Sequence, residues 1–190
     1  PVGVNFVVVG YGYSAGDILL DPAVPIEDLD AKLHVIVGGY VRSIDFFGRS
    51  GKVDIIVPFA AGDWKGVVSG RDSSTVRNGF GDPRVRLSVN FVGAPALRAT
   101  ESGGYRQHMI VGASLQVIAP LGQYDPSKLI NLGSNRWTFR PQLGTSRAVG
   151  NWILETYASA WLFAKNSDFY GGNELKQAPL AAFKIHAIYT

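Results

Sequence analysis

Across 84–91 the chain alternates without a break: Val85, Leu87, Val89 and Phe91 are apolar, and Arg84, Arg86, Ser88 and Asn90 between them are polar. A side-chain period of two belongs to a β-strand with unlike faces, whereas the apolar stripe of a helix repeats every 3.6 residues. The pattern recurs often enough to dictate the fold class. Val111, Ala113, Leu115 and Val117 alternate with Gly112, Ser114 and Gln116, and Trp137, Phe139 and Leu143 oppose Arg136, Thr138, Arg140 and Gln142. Trp152, Leu154, Ala158, Ala160 and Leu162 oppose Glu155, Tyr157 and Ser159; Phe183, Ile185, Ala187 and Tyr189 oppose Lys184 and His186. Earlier, Val53, Ile55, Val57 and Phe59 face away from Lys52 and Asp54, with Ile56 on the polar side, and 33–44 and 2–11 read as less regular strands.

This predicts an all-β chain of about eight strands, each of roughly 9 to 13 residues, long against the usual strand and close to the span of a tilted membrane strand. No amphipathic helix is evident. The stretch IEDLDAKL at 26–33 is short and follows Asp21-Pro22 and Pro25, so it reads as loop. GYGYSAGD at 10–17 has no helix behind it to bind a phosphate and reads as a glycine-rich turn. The connections are alternately longer and shorter, as in an antiparallel up-and-down transmembrane barrel with long loops at one end. On that reading Pro58 and Pro120 close strands at the long-loop rim, where a missing ladder donor is tolerated. Aromatic residues then gather in two girdles: Tyr11, Phe59, Phe80, Tyr124, Trp137 and Phe163 at that rim, and Phe46, Phe91, Tyr105, Trp152 and Tyr189 at the other.

Composition removes several function classes. With 46% hydrophobic and 17% charged residues the chain is not disordered, and a formal charge of +3, scattered along it, does not make a nucleic-acid surface. There is no Cys, and the three His stand far apart, so no metal set is expected. His34, His108 and His186 accompany no nucleophile elbow or paired-carboxylate motif, so no enzyme is expected. The acidic residues Glu27, Asp28 and Asp30 lack the spacing of a calcium loop. No run approaches the roughly 18 apolar residues of a membrane helix. The chain opens at Pro1 and stops at Thr190 within an alternating pattern, and reads as a processed or truncated piece; the missing signal peptide therefore carries no information on compartment.

GFGDPRVRLSVNFVGAPAL at 79–97, APLGQYDPSKLINLGSNRWTFRPQLGTSR at 119–147 and the stretch from NWILETYASAWLF to the C-terminus resemble the MetA-pathway phenol-degradation family. The resemblance covers essentially the whole chain. It implies a barrel in the outer membrane of a Gram-negative cell that passes small, often aromatic, organic molecules without a cofactor. It also implies that 1–190 is a single barrel domain lacking its last strands.

Pointing the polar face inward makes Lys52, Asp54, Arg84, Arg86, Asn90, Gln116, Arg136, Arg140, Gln142, Glu155, Tyr157, Lys184 and His186 lumen candidates. The arginines there either favour anionic solutes or pair with carboxylates and fill the interior. The long connection at 122–137 places Tyr124, Asn131 and Asn135 at a mouth or in an inward-folded plug, unless Asp125-Pro126 and Gly133 merely fix turns. Two rivals share the alternation: a soluble β-sandwich or lipocalin-like carrier with the apolar face inward, and an outer-membrane barrel that carries nothing.

Overall fold

The computed structural model describes residues 1–17, 26–105 and 108–189. The strands are β1 (Asn5–Asp17), β2 (Ile26–Phe46), β3 (Arg49–Val68), β4 (Arg71–Phe80), β5 (Arg84–Val92), β6 (Met109–Ile118), β7 (Thr138–Val149), β8 (Trp152–Phe163), β9 (Asn166–Phe169), β10 (Asn173–Leu175) and β11 (Leu180–Tyr189). Among the described residues the helical structure is a single turn, α1 (Ala99–Ser102), and a 3₁₀ turn at Tyr170–Gly172. The main sheet is antiparallel in the order β1-β2-β3-β5-β6-β7-β8-β11, with β4 paired to the upper half of β3. It curls into a half-barrel whose edge strands, β1 and β11, each have one neighbour among the described residues.

Register settles the faces, because residues directly opposite in an antiparallel pair project to the same side. Ile55, Val85, Val117 and Phe139 form one transverse row, and Val53, Leu87 and Leu115 the next. Extended over the sheet, these rows make a broad apolar convex face, interrupted on β2 and β1 by Arg42 and Asn5, and most of it has no protein packed on it: Val7 is 80% exposed, Val9 78% and Phe183 67%. In water such a surface would drive aggregation. In hydrocarbon it costs nothing. The belt ends in aromatic pairs, Phe59 on Phe80 at 5.3 Å and Trp137 along Phe139 at 6.5 Å toward one rim, Trp152 on Tyr189 at 5.2 Å at the other. Beyond Phe59 the outward positions of β3 become Asp63 and Lys65, so the apolar band stops where the aromatics stand.

Several expectations need correction. The stretch 26–33 is not loop: it is the start of β2, whose 21 residues pair with the 20 of β3 and rise past the aromatic pairs as a tall hairpin. Likewise 10–17 is no turn but the second half of β1, in register with 30–37. Pro58 does not close its strand. It lies where β3 changes partner from β5 to β4, and its carbonyl accepts from the Gly81 amide at 2.9 Å. In an antiparallel strand a residue's N–H and C=O point to the same side, so the missing donor faces the gap at that changeover. Phe163 and Tyr124 leave the outer girdle: Phe163 pairs with Thr138 on the inward face, and the Tyr124 hydroxyl is hydrogen-bonded to β9, donating to Asp168 O and accepting from Asn166. Val89 keeps its place on the apolar face but is only 7% exposed, unlike Val85 and Leu87 beside it.

Tight turns join β2 to β3 and β3 to β4. Phe47 and Gly48 have φ of 52° and 77°, and Ser69 and Gly70 have 51° and 76°. Positive φ at both central residues is the hairpin turn whose twist matches the flanking strands, and Gly removes the strain at the second position.

Candidate functional site

The concave face collects the polar sequence candidates into transverse rows. Asp54, Arg86, Gln116 and Arg140 stand opposite one another on β3, β5, β6 and β7, and Lys52, Ser88, Ser114 and Gln142 form the neighbouring row. Asn90 leads through Gly112 and Gly144 to Tyr157 and Lys184, while Glu155 faces His186. Arg84 lies on the same face beside Ile56 and Ile118.

Contacts within these rows are specific. Arg86 donates from Nε and Nη2 to Asp54 Oδ1 at 2.9 and 2.7 Å, with Lys52 Nζ 4.0 Å away. Asp54 is 2% exposed, so this pairing is what allows a carboxylate to stay inside the wall. Arg140 donates to Gln142 Oε1 at 3.2 Å and lays its guanidinium 4.1 Å above the Trp161 ring. Tyr157 donates to Glu155 Oε2 at 3.0 Å, and His186 Nδ1 lies 3.5 Å from the same oxygen. The Tyr157 ring lies over Gly144, where a Cβ would meet it at 2.6 Å, so Gly there is what lets the ring lie flat on the wall. A depression of about 290 Å³ opens between Lys52, Arg86, Asn90, Gln142, Glu155 and Tyr157.

The other half of the concave face is apolar. Phe6, Val8, Gly10 and Gly12 of β1 share it with Val41, Gly39, Val37 and Val35 of β2, which explains why alternation is weak there: these strands are apolar on both sides. The wall is thus split, with glycine and valine on β1 and β2 and a ladder of cations on β5, β7 and β11.

The long connection between β6 and β7 folds inward over the β3–β4 end of this wall. Its Ile130 and Leu132 pack with Leu33 on a cluster of Leu29, Ala31 and Trp64. Trp64 is on the concave side, since it shares its face with Asp54 along β3. Arg77 Nε, donating to Ile130 O at 3.1 Å, ties the same segment to β4. Both ends are clamped by one residue: Asp82 accepts from the Gly122 amide at 2.8 Å through Oδ1, and from the Ser134 amide and hydroxyl at 2.7 and 2.6 Å through Oδ2. Asn166, 1% exposed, donates to Tyr124 Oη at 2.9 Å and accepts from Asn135 at 3.0 Å. Asn131 closes the 125–131 turn, accepting from the Asp125 amide at 2.8 Å and donating to Asp125 O and Lys128 O. Hydrogen bonds from Ser127 and Lys128 hold the Asp125 carboxyl down at about 2.

Of the three loop candidates, then, Asn131 and Asn135 spend their amides on holding the loop, and Tyr124 spends its hydroxyl likewise. Arg136 is not on a strand of the wall. It sits at the rim just before β7, with its guanidinium 4.6 Å from the Phe163 ring centroid and a hydrogen bond to Gln177, and burial pushes its pKa below the usual arginine value. Sequence reasoning missed Asp82, Ser134 and Asn166, which organise the loop, and Trp64 and Trp161 on the concave side. Trp64 was hidden by reading its strand as a connection. Asp82, inside GFGDP, lies in no alternating stretch that would mark it.

Comparison with curated proteins finds no match. Among solved structures, the COG4313 outer membrane channel from Pseudomonas putida F1 aligns with a TM-score of 0.71 at 20% identity, over 100% of this chain and 67% of that one. At that identity the likeness is one of fold: the same curled antiparallel wall. The family model described as "Putative MetA-pathway of phenol degradation" matches residues 8–186. With a sequence match that runs nearly end to end, over a wall built as in an outer membrane channel, this chain belongs to the MetA-pathway phenol-degradation family.

Proposed function

We propose that the chain forms one barrel domain in the outer membrane, its convex face against lipid, and that it acts as a non-enzymatic channel passing small organic, phenol-like molecules along the concave wall. The observation that carries this reading is the split of that wall: Phe6, Val8, Val35, Val37 and Val41 on one side, and Lys52, Arg84, Arg86, Arg140 and Lys184 on the other. A sugar gains nothing from a valine wall. A molecule with a ring and one polar group can slide its ring along the apolar strip while its polar end passes from cation to hydroxyl to amide. The cations outnumber Asp54 and Glu155 on this face, so a residual positive potential favours weakly acidic solutes. In this reading Gln116, Asn90, Gln142, Tyr157 and His186 line the path, and the 122–137 loop with Tyr124, Asn131, Asn135 and Arg136 forms its mouth. Edges left open in hydrocarbon would strand a row of backbone donors and acceptors, so further strands close the wall between β11 and β1.

The experiment is liposome permeation with the full-length protein, comparing phenol, benzoate and a pentose. Faster uptake of the two ring compounds supports the reading. Equal or faster uptake of the pentose overturns it.

A further inference from the structure

We propose that a second site, in the rim above the lumen, is a binding station for a neutral single-ring molecule carrying one hydroxyl. This rests on the reading that the barrel passes such molecules. The site is the cavity of about 240 Å³ between the tall β2–β3–β4 hairpin and the inward loop. A cavity of about 150 Å³ walled by aliphatic and aromatic side chains is enough to take up benzene, so this one has room for a substituted ring.

Its lining is mixed. Trp64 and Leu29, both buried, supply an apolar floor, and Ile130 of the loop covers it. Beside Trp64 on the same wall, Thr75 is its register partner in the β3–β4 pair and shares its inward face. Among the described residues the Thr75 hydroxyl has no hydrogen-bond partner, while the cations lining the cavity are already engaged. Lys128 Nζ lies 3.0 Å from Asp125 Oδ2, and Arg77 gives Nε and Nη1 to the Ile130 and Val76 carbonyls. An apolar slot with a free hydroxyl at Thr75, and with the hydroxyls of Ser74 and Tyr170 also in its lining, recognises a ring with a hydroxyl better than a ring without one. The loop that roofs the slot also borders the lumen, so a molecule released from it is delivered at the head of the apolar strip.

The test is equilibrium binding of phenol and toluene to the full-length protein in detergent micelles, by calorimetry and by ligand-observed NMR, with phenol permeation measured in liposomes alongside. The wild type is expected to bind one phenol saturably. The near-isosteric Thr75→Val should weaken phenol about five- to tenfold and leave toluene unchanged, because it removes a single hydrogen bond. Thr75→Phe, which fills the slot, should abolish binding of both. Phenol affinity equal to wild type in both variants, or no saturable binding to the wild type, overturns the site. If phenol still permeates selectively in that case, the channel reading survives the loss of the site; if selective permeation is absent while binding persists, the channel reading fails alone.

Discussion

Arg86 holds Asp54 by two hydrogen bonds to a single carboxylate oxygen, at 2.9 and 2.7 Å, in the middle of the concave wall. This pair converts one cation of the ladder into a structural element and leaves Arg84, Arg140 and Lys184 with no carboxylate partner among the described residues. Asp54→Ala should therefore do two things. Stability should fall by about 2 kcal/mol, since Arg86 loses a charged partner but is near enough to the lumen for water to resolvate part of it. Anion preference should rise, because a negative charge leaves the wall. Unfolding in lipid vesicles and reversal potentials in planar bilayers measure the two effects.

Charge reversal separates the wall from the rim. Arg140→Glu, on β7 and above Trp161, should shift permeability from anions toward cations with the barrel still folded, as judged by heat-modifiable gel mobility. Arg136→Glu should shift selectivity less and weaken the rim contacts with Gln177 and Phe163. Equal shifts in planar bilayers would mean that the rim, not the wall, sets the field.

The loop prediction rests on Asp82. Asp82→Ala removes the acceptor for the amides of Gly122 and Ser134 and for the Ser134 hydroxyl, so both ends of the inward segment are released together. Single-channel conductance should rise, and limited proteolysis should cut within 123–133 faster than in the wild type. Unchanged conductance with faster cleavage would place the loop outside the solute path.

Acid should reach the 125–131 turn late. The Asp125 carboxyl is held at about 2 against an ordinary 3.8, first by Ser127 and then by Lys128. A lowered folded-state pKa means that the contribution is complete above the unfolded value and is lost as pH falls through about 2. The Ser127 amide should stay protected from exchange at pH 4 and lose protection near pH 2, and Lys128→Gln should move that loss upward.

Strands with one polar and one apolar face were legible because alternation writes both faces into the sequence: β5, β6, β7, β8 and β11 sit where the period of two puts them. β1 and β2 were blurred for a physical reason. Phe6, Val8, Val37 and Val41 face the lumen and are apolar, so no alternation marks the strand. The tall hairpin was missed because 26–33 and 60–80 mix charges, glycine and serine in a strand region beyond the lipid band, where neither face needs to be apolar. The wall candidates other than Arg136 share one face, as the alternation required, whereas Arg136 sits at the rim before β7. The loop did not follow from pattern, since its position depends on Asp82 and Asn166, whose partners are distant in sequence.

The outward belt and the concave path are most directly tested at the neighbours Leu87 and Ser88, whose side chains project oppositely near the centre of β5. Leu87 is the better lipid reporter on this strand, because Val89 is almost fully covered. Leu87→Arg should cost about 2 to 4 kcal/mol in lipid and Ser88→Arg much less. Location decides more sharply than stability. The chain has no Cys, so Leu87→Cys and Ser88→Cys each create a unique thiol for a fluorophore. In liposomes, lipid-borne quenchers should quench the label at 87 and spare that at 88, and aqueous quenchers should do the reverse. Equal quenching at both positions, or the opposite pattern, would contradict a barrel that turns its apolar face to lipid and its charged face to the solute path.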